Sequence, residues 1–98
     1  MTIHGTARFT VKDGEIDTAL GAIGPFVEHT RTEPGTLRYE SYRSADRPNE
    51  FLHWMTFEDE AAERAHGSSD AVQRFTARLY PACVAEPTFE RWVAVSAR

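Results

Sequence analysis

Hydrophobic and polar residues alternate along four stretches of this chain, as they do in strands that bury one face. The predicted strands cover residues 2–11, 36–44, 50–57 and 88–96. The third strand is the most hydrophobic of the four. One of its faces carries Phe51, His53, Met55 and Phe57, and the other carries Leu52, Trp54 and Thr56.

Between these strands, apolar residues recur every three or four positions, which indicates helices. The first helix begins at Ile16, and we expect a kink or a break at Pro25, because proline lacks an amide donor and clashes with the preceding turn. A short helix is predicted over residues 59–65. The last helix buries a stripe made of Val72, Phe75, Thr76 and Leu79.

The predicted order of elements is strand, helix, strand, strand, short helix, helix, strand. Without the short helix this is βαββαβ, the ferredoxin-like arrangement of an α+β protein. It gives a four-stranded antiparallel sheet with the helices on one face. We expect residues 1–98 to form one domain, because 98 residues are too few for two.

The face of the sheet away from the helices would expose Leu52, Trp54 and Trp92 together. Exposed apolar patches of this kind mark partner sites, and tryptophan is enriched at the centres of interfaces. We therefore predict that these three residues seal a homodimer, sheet against sheet. The alternative for Trp54 is a place in the wall of a substrate pocket.

Composition and charge narrow the possible classes of protein. The chain has 11 Lys and Arg against 15 Asp and Glu, a net charge of −4, so it lacks the basic excess that binds nucleic acid. No apolar stretch approaches the roughly 20 residues that span a bilayer. The first residues also lack the apolar core of a signal peptide. We expect a cytoplasmic protein with neither nucleic-acid nor membrane partners.

The sequence predicts no metal site, no disulfide and no nucleotide site. The four histidines lie on different predicted elements, and Cys83 is the only cysteine. Metal sites built from histidine and cysteine need several such ligands at close spacing. No glycine-rich phosphate loop follows a predicted strand.

Two stretches resemble motifs of the antibiotic biosynthesis monooxygenase family of small dimeric α/β barrels. Residues 33–40, Glu-Pro-Gly-Thr-Leu-Arg-Tyr-Glu, are similar to the family's E-P-G-x-x-x-Y stretch. Residues 51–62, followed by His66, resemble its strand, its W-x-D/E-x-x-A helix start and its trailing A-H. The resemblance covers nearly the whole chain and implies a dimeric barrel built on the same βαββαβ order.

Three positions depart from the family pattern. Phe57 stands where the motif has tryptophan, Met55 where the strand frequently carries glutamate, and Asp70 where a second histidine is frequent. Part of a polar network that is common in the family is therefore missing.

The resemblance implies a cofactor-independent monooxygenase that uses O₂ on an electron-rich aromatic or polyketide-type small molecule. His53 would act as catalytic base or as partner of an oxyanion, because an imidazole titrates near neutral pH. Tyr39 would support it by hydrogen bonding. The predicted substrate-binding residues are Phe9, Phe51, Met55, Phe57, His66 and Phe75.

Each polar candidate also has a purely structural interpretation. His53 could be a core histidine bonded to a neighbour, and Tyr39 could point to the edge of the sheet. His66 could place a positive charge at a helix C-terminus, where the helix dipole favours it.

Two other functions stay open at this point. The missing polar residues favour a non-catalytic small-molecule-binding or regulatory module of the same fold. Haem degradation is the third hypothesis. It would need His66 as axial ligand, although Phe57 replaces the tryptophan that is typical of that subfamily.

Overall fold

The computed structural model describes residues 1–96. Its elements follow the predicted order. They are β1 (Ile3–Thr10), α1 (Ile16–Thr30), β2 (Thr36–Arg43), β3 (Glu50–Phe57), α2 (Glu60–Gly67), α3 (Asp70–Leu79), a short 3₁₀ turn (Tyr80–Ala82) and β4 (Thr88–Trp92). The α+β class and the βαββαβ order are therefore confirmed.

The four strands form one antiparallel sheet in the order β2-β3-β1-β4. The central strand β3 pairs with β1 on one side and with β2 on the other, so that His53 lies opposite Ala7 and Ser41. Strand side chains alternate between faces. The four helix-side residues of β3, from Phe51 to Phe57, are all buried, whereas Leu52 and Trp54 are half-buried on the other side. We call the second side the open face.

Of the kink or break predicted at Pro25, the break does not occur, because α1 continues through this residue to Thr30. Pro25 itself is exposed. Ile23 and Phe26, on either side of it, are buried. Packing of these neighbours outweighs the hydrogen bond that proline removes, a case in which tertiary contacts override local propensity.

The last strand is also shorter than predicted, since it ends at Trp92 and not at residue 96. Trp92 pairs with His4, and β1 begins only one residue before His4. The backbone beyond Trp92 therefore runs past the end of its partner strand. Val93 and Val95 are exposed accordingly.

An irregularity in β2 breaks the predicted alternation at one residue. The register against β3 shifts between Thr36 and Arg38, and Leu37 is 60% exposed. A simple period of two would place Leu37 on the same face as Tyr39. Tyr39 itself is buried under the helices, as the alternation predicts.

The hydrophobic layer between the sheet and the helices has two ends. We call the first the packed end; it contains Phe9, Val11, Ala19, Ile23, Phe51, Leu79, Ala82 and Cys83. We call the second the cavity end; it contains Ala7, Phe26, Tyr39, Met55, Phe57 and Ala71. Val27 and Phe75 pack against both ends. Among residues 1–96, no helix combines the length and the apolar character needed to cross a bilayer.

Candidate functional site

A cavity of about 320 Å³ lies at the cavity end, between the sheet and helices α2 and α3. Eight residues were predicted to be catalytic or substrate-binding. Seven of them line this cavity, namely Phe9, Tyr39, His53, Met55, Phe57, His66 and Phe75. The fold thus brings together side chains from β1, β2, β3, α2 and α3.

Phe51 is the predicted residue that lies elsewhere. Its ring stacks on Phe9 with 5.4 Å between centroids, inside the packed end. Two residues along a strand cover about 7 Å. Phe51 therefore lies on the same face of the sheet as His53 but outside the cavity. The alternation along a strand predicts the face of a residue, not whether the cavity extends to it.

His53 is 1% exposed and is tied to the neighbouring strand by one hydrogen bond. Its Nδ1 lies 3.0 Å from the hydroxyl oxygen of Tyr39. Its Nε2 is buried and has no hydrogen-bond partner within residues 1–96. Burial lowers the pKa of His53 to about 4, so the imidazole is neutral at pH 7.

The hydrogen bond to Tyr39 indicates which ring nitrogen of His53 carries the proton. Burial, and to a smaller extent the Glu33 carboxylate, raises the pKa of Tyr39, so its hydroxyl keeps its proton. That hydroxyl can donate to Nδ1, which leaves the hydrogen of the neutral ring on Nε2. With the hydrogen on Nδ1 instead, neither the hydroxyl hydrogen of Tyr39 nor the lone pair on Nε2 would have a hydrogen-bond partner. That tautomer would therefore cost more free energy. His53, which lines the cavity, therefore carries one buried hydrogen-bond donor without a partner.

His66, in the last turn of α2, carries the second imidazole of the cavity. Its Nδ1 lies 2.9 Å from Oε1 of Glu33, and the two side chains are only 10% and 15% exposed. The ring lies among those of Phe26, Tyr39 and Phe57, at centroid distances of 5.9, 5.4 and 5.1 Å. His66 is thus a part of the cavity wall as well as a basic residue at a helix end.

Glu33 lies in the turn before β2, and a glycine in this turn, Gly35, lets α2 approach closely. A Cβ atom on Gly35 would collide with Cβ of Ala62, so only glycine permits this close approach. The amide of Glu58 donates to the carbonyl of Gly35 at 2.8 Å. These contacts join the two stretches that resemble family motifs, and they bring Glu33 to His66.

Sequence reasoning did not identify Glu33 as a site residue. A signal was present, because Glu33 opens one motif and His66 ends the other. The two residues are 33 positions apart, and nothing in the local pattern pairs them.

The open face carries the three residues that were predicted for an interface. Trp92 is 44% exposed, and its indole nitrogen donates to Oγ1 of Thr6 at 2.8 Å. Trp54 lies beneath the Arg38 guanidinium, at 5.5 Å from the ring centroid, and Leu52 is half-buried. None of the three lines the cavity, which argues against Trp54 as a pocket wall. Among residues 1–96, no cluster of three or more His, Cys, Asp or Glu is arranged to hold a metal ion.

Residues 2–78 match the profile of a family described as antibiotic biosynthesis monooxygenase. The chain belongs to this family. No curated protein matches the sequence.

Solved structures agree with the family assignment. A crystal structure described as an antibiotic biosynthesis monooxygenase is 25% identical and has a TM-score of 0.91, over 98% of this chain and 100% of that chain. The Shewanella oneidensis protein SO0527 is 30% identical, with a TM-score of 0.84 over 93% of this chain and 88% of that chain. Rv0793 from Mycobacterium tuberculosis, 18% identical over 99% and 98% of the two chains, shares the fold with a TM-score of 0.91.

Within the antibiotic biosynthesis monooxygenase fold, two of the three departures from the family pattern lie in the cavity wall. Met55 and Phe57 are buried and line the cavity. Asp70, the third departure, is an exposed residue at the start of α3. The substitutions therefore make the wall more apolar. Its buried polar side chains are Tyr39 and His53, and its half-buried ones are Glu63, His66 and Thr76.

Proposed function

We propose that this protein is a cofactor-independent monooxygenase that uses O₂ on an electron-rich aromatic or polyketide-type small molecule. The observation that carries the proposal is the apolar cavity with the unpartnered Nε2 of His53 in its wall. Buried polar groups are normally satisfied, and an exception calls for an explanation. A substrate oxygen that accepts a hydrogen bond from Nε2 would provide one.

The proposed chemistry draws its electrons from the substrate. A phenol or hydroquinone loses a proton, and the resulting anion transfers one electron to O₂. The substrate radical and the superoxide combine to a peroxide, which then loses water. One oxygen atom stays in the product, and the other leaves as water with two hydrogens from the substrate. The protein has to bind the substrate, remove the proton and keep bulk water away.

His53 fits the role of oxyanion partner better than that of base. With a pKa of about 4, it has little tendency to take a proton at neutral pH. As a donor, it would stabilise the negative charge that develops on a substrate oxygen. In a water-excluding site such a fixed hydrogen bond is worth more than in water. Tyr39 holds the ring in the tautomer that this role requires.

The size of the cavity supports a small substrate. Its volume of about 320 Å³ is at the lower end of the range of roughly 300–1,000 Å³ that is usual for small-molecule sites. The rings of Phe26 and Phe75, stacked at 4.0 Å, form an aromatic wall against which a planar ligand can pack.

Oxygen consumption tests the proposal directly. Purified protein would be incubated with one- to three-ring hydroquinones, and O₂ uptake and the incorporation of ¹⁸O from labelled O₂ would be measured. We expect uptake above the spontaneous rate, and a loss of roughly 100- to 1,000-fold in kcat for His53→Phe, which keeps a ring but removes the donor. His29→Phe, at an exposed position of α1, serves as control.

Two results would contradict the proposal. The first is O₂ uptake no faster than in buffer for every hydroquinone. The second is uptake that His53→Phe and His29→Phe lower equally. Tight binding of these compounds without turnover would point instead to a small-molecule-binding module.

We further propose that a second copy of this chain covers the open face. Leu52, Trp54 and Trp92 form an apolar area on it, and the family resemblance implies a dimeric barrel. Sedimentation would give a mass near twice 11.1 kDa for the unaltered protein. Trp92→Glu should reduce this to one chain, whereas Leu20→Glu, on exposed α1, should not. A dimer that survives Trp92→Glu would be built on another surface.

A further inference from the structure

The two histidines of the cavity are bonded in opposite ways. The Nδ1 of His53 faces a tyrosine hydroxyl, which can donate a hydrogen bond to it. The Nδ1 of His66 faces a carboxylate oxygen of Glu33, which can only accept. The partner of a histidine decides which nitrogen carries the proton. In the neutral ring of His66 the Glu33 carboxylate therefore favours the tautomer with the proton on Nδ1 and a lone pair on Nε2.

Hydrogen bonds hold the Glu33 carboxylate next to the His66 ring. Its Oε1 accepts from Oγ1 of Thr36 at 2.8 Å as well as from His66 at 2.9 Å. Its Oε2 is buried and has no partner within residues 1–96. A carboxylate held in this way remains close to the ring and is positioned to stabilise a positive charge on it.

Besides His53, two side chains of the cavity wall carry a basic atom, His66 and Glu63. The Glu63 carboxylate is bonded to the Arg91 guanidinium, which leaves Nε2 of His66 as the candidate base. His66 lines the cavity, and within the described chain the only hydrogen bond of its ring is the one through Nδ1. The His66 side chain is 10% exposed, so a ligand in the cavity can contact its ring.

We propose that His66 takes the hydroxyl proton of the substrate and that Glu33 is its positioning residue. The proton moves from the substrate oxygen to Nε2, the ring becomes an imidazolium, and its Nδ1–H remains bonded to the Glu33 carboxylate. The O–H bond breaks, the N–H bond forms, and the substrate oxygen becomes an anion that His53 can bind through its own Nε2–H. The inference rests on the proposed function. It assigns the removal of the substrate proton to His66, because His53 is poorly suited to that step.

A first measurement needs no substrate. Nitrogen-15 NMR of the histidine side chains distinguishes the two neutral tautomers. We expect the neutral His66 ring to carry its proton on Nδ1, and Glu33→Gln to reduce the population of this tautomer. A His66 ring with its proton on Nε2 in the unaltered protein would overturn the proposal, whatever the outcome of oxygen uptake.

A second measurement uses 4-nitrocatechol without oxygen, because its phenolate has its own visible absorbance and the nitro group disfavours oxidation. Binding to the unaltered protein should increase the phenolate fraction over that in buffer at the same pH. His66→Gln should abolish the increase, and Glu33→Gln should reduce it. An equal phenolate fraction in the unaltered protein and in His66→Gln would overturn the proposal, as would the lack of any increase.

Kinetics separate positioning from mere structural support. With a hydroquinone that is turned over, Glu33→Gln should lower kcat roughly 10- to 100-fold with little change in KM, and Glu33→Asp should recover part of the loss. Glu28→Gln makes the same exchange at an exposed position and should leave kcat unchanged. Equal effects of the Glu33 and Glu28 variants would contradict the role of Glu33. Phenolate formation without O₂ uptake would instead count against the proposed function alone.

Discussion

The packed end and the cavity end belong to one hydrophobic layer, yet their composition differs. The packed end contains apolar side chains and one buried cysteine, Cys83. The cavity end combines apolar residues with Tyr39, and it adjoins His53 and His66. A domain of this size has little core to spare. Phe9 and Leu79 of the packed end also line the cavity, so stability and ligand binding share one layer whose two ends meet at the cavity wall.

Truncation in the packed end should give the largest effect on stability. Phe51 is 3% exposed and stacks on Phe9, so Phe51→Ala should lower the free energy of unfolding by about 3–5 kcal/mol. Phe89→Ala, at a residue that is 64% exposed, should change it by no more than about 0.5 kcal/mol. Urea unfolding checks both. A similar loss in the two variants would show that Phe51 contributes no more to stability than an exposed phenylalanine does, and the packed end would lose its assigned role.

The second prediction concerns the cavity end and its dependence on pH. His53 has a pKa of about 4 in the folded protein against 6.5 ordinarily, so below pH 6.5 the unfolded chain binds the proton more readily. Stability due to this group should therefore be present above about pH 6.5 and fall by about 3 kcal/mol as the pH decreases to about 4.

The matched variant for this test is His53→Gln, which has a polar side chain that does not titrate in this range. Its unfolding free energy should fall less between pH 7 and pH 4 than that of the unaltered protein. Parallel pH profiles for the two proteins would show that His53 is charged or solvated in the folded state. That outcome would remove the contrast between the apolar packed end and a buried neutral histidine at the cavity end.

The third and smallest effect is expected at Gly35, where α2 approaches the turn that carries Glu33. Gly35→Ala forces a displacement at Ala62 and should cost about 1–3 kcal/mol. Gly67→Ala, at the end of the same helix, meets nothing within 4 Å and should be close to neutral. Thermal unfolding of the two variants checks this. Equal melting temperatures would mean that the cavity end adapts more easily than its contacts suggest.

The sequence was sufficient to predict the sheet and seven of the seventeen residues that line the cavity, because burial of one strand face imposes a period of two. His53, Met55 and Phe57 share a face in the structure for this reason. The same rule could not distinguish Phe51 from them. Face depends on local spacing, whereas the end of a cavity depends on how the helices cross the sheet.

The remaining differences came from contacts between distant parts of the chain. The neighbours of Pro25 pack against the sheet and keep α1 continuous, and the bulge at Leu37 follows from pairing with β3. The bond between Glu33 and His66 depends on the glycine that lets α2 approach. Each motif can be recognised from the sequence alone, but the contact between the two motifs depends on the fold.

The cavity in the core also links ligand binding to folding by mass action. Phe75 packs against both ends of the layer, and its ring lies 5.9 Å from that of His53. A compound that fills the cavity binds the folded chain and not the unfolded one. At 100 times its Kd, it would add about 2.7 kcal/mol to the free energy of unfolding. Melting temperature alone can therefore rank candidate substrates before any reaction is assayed.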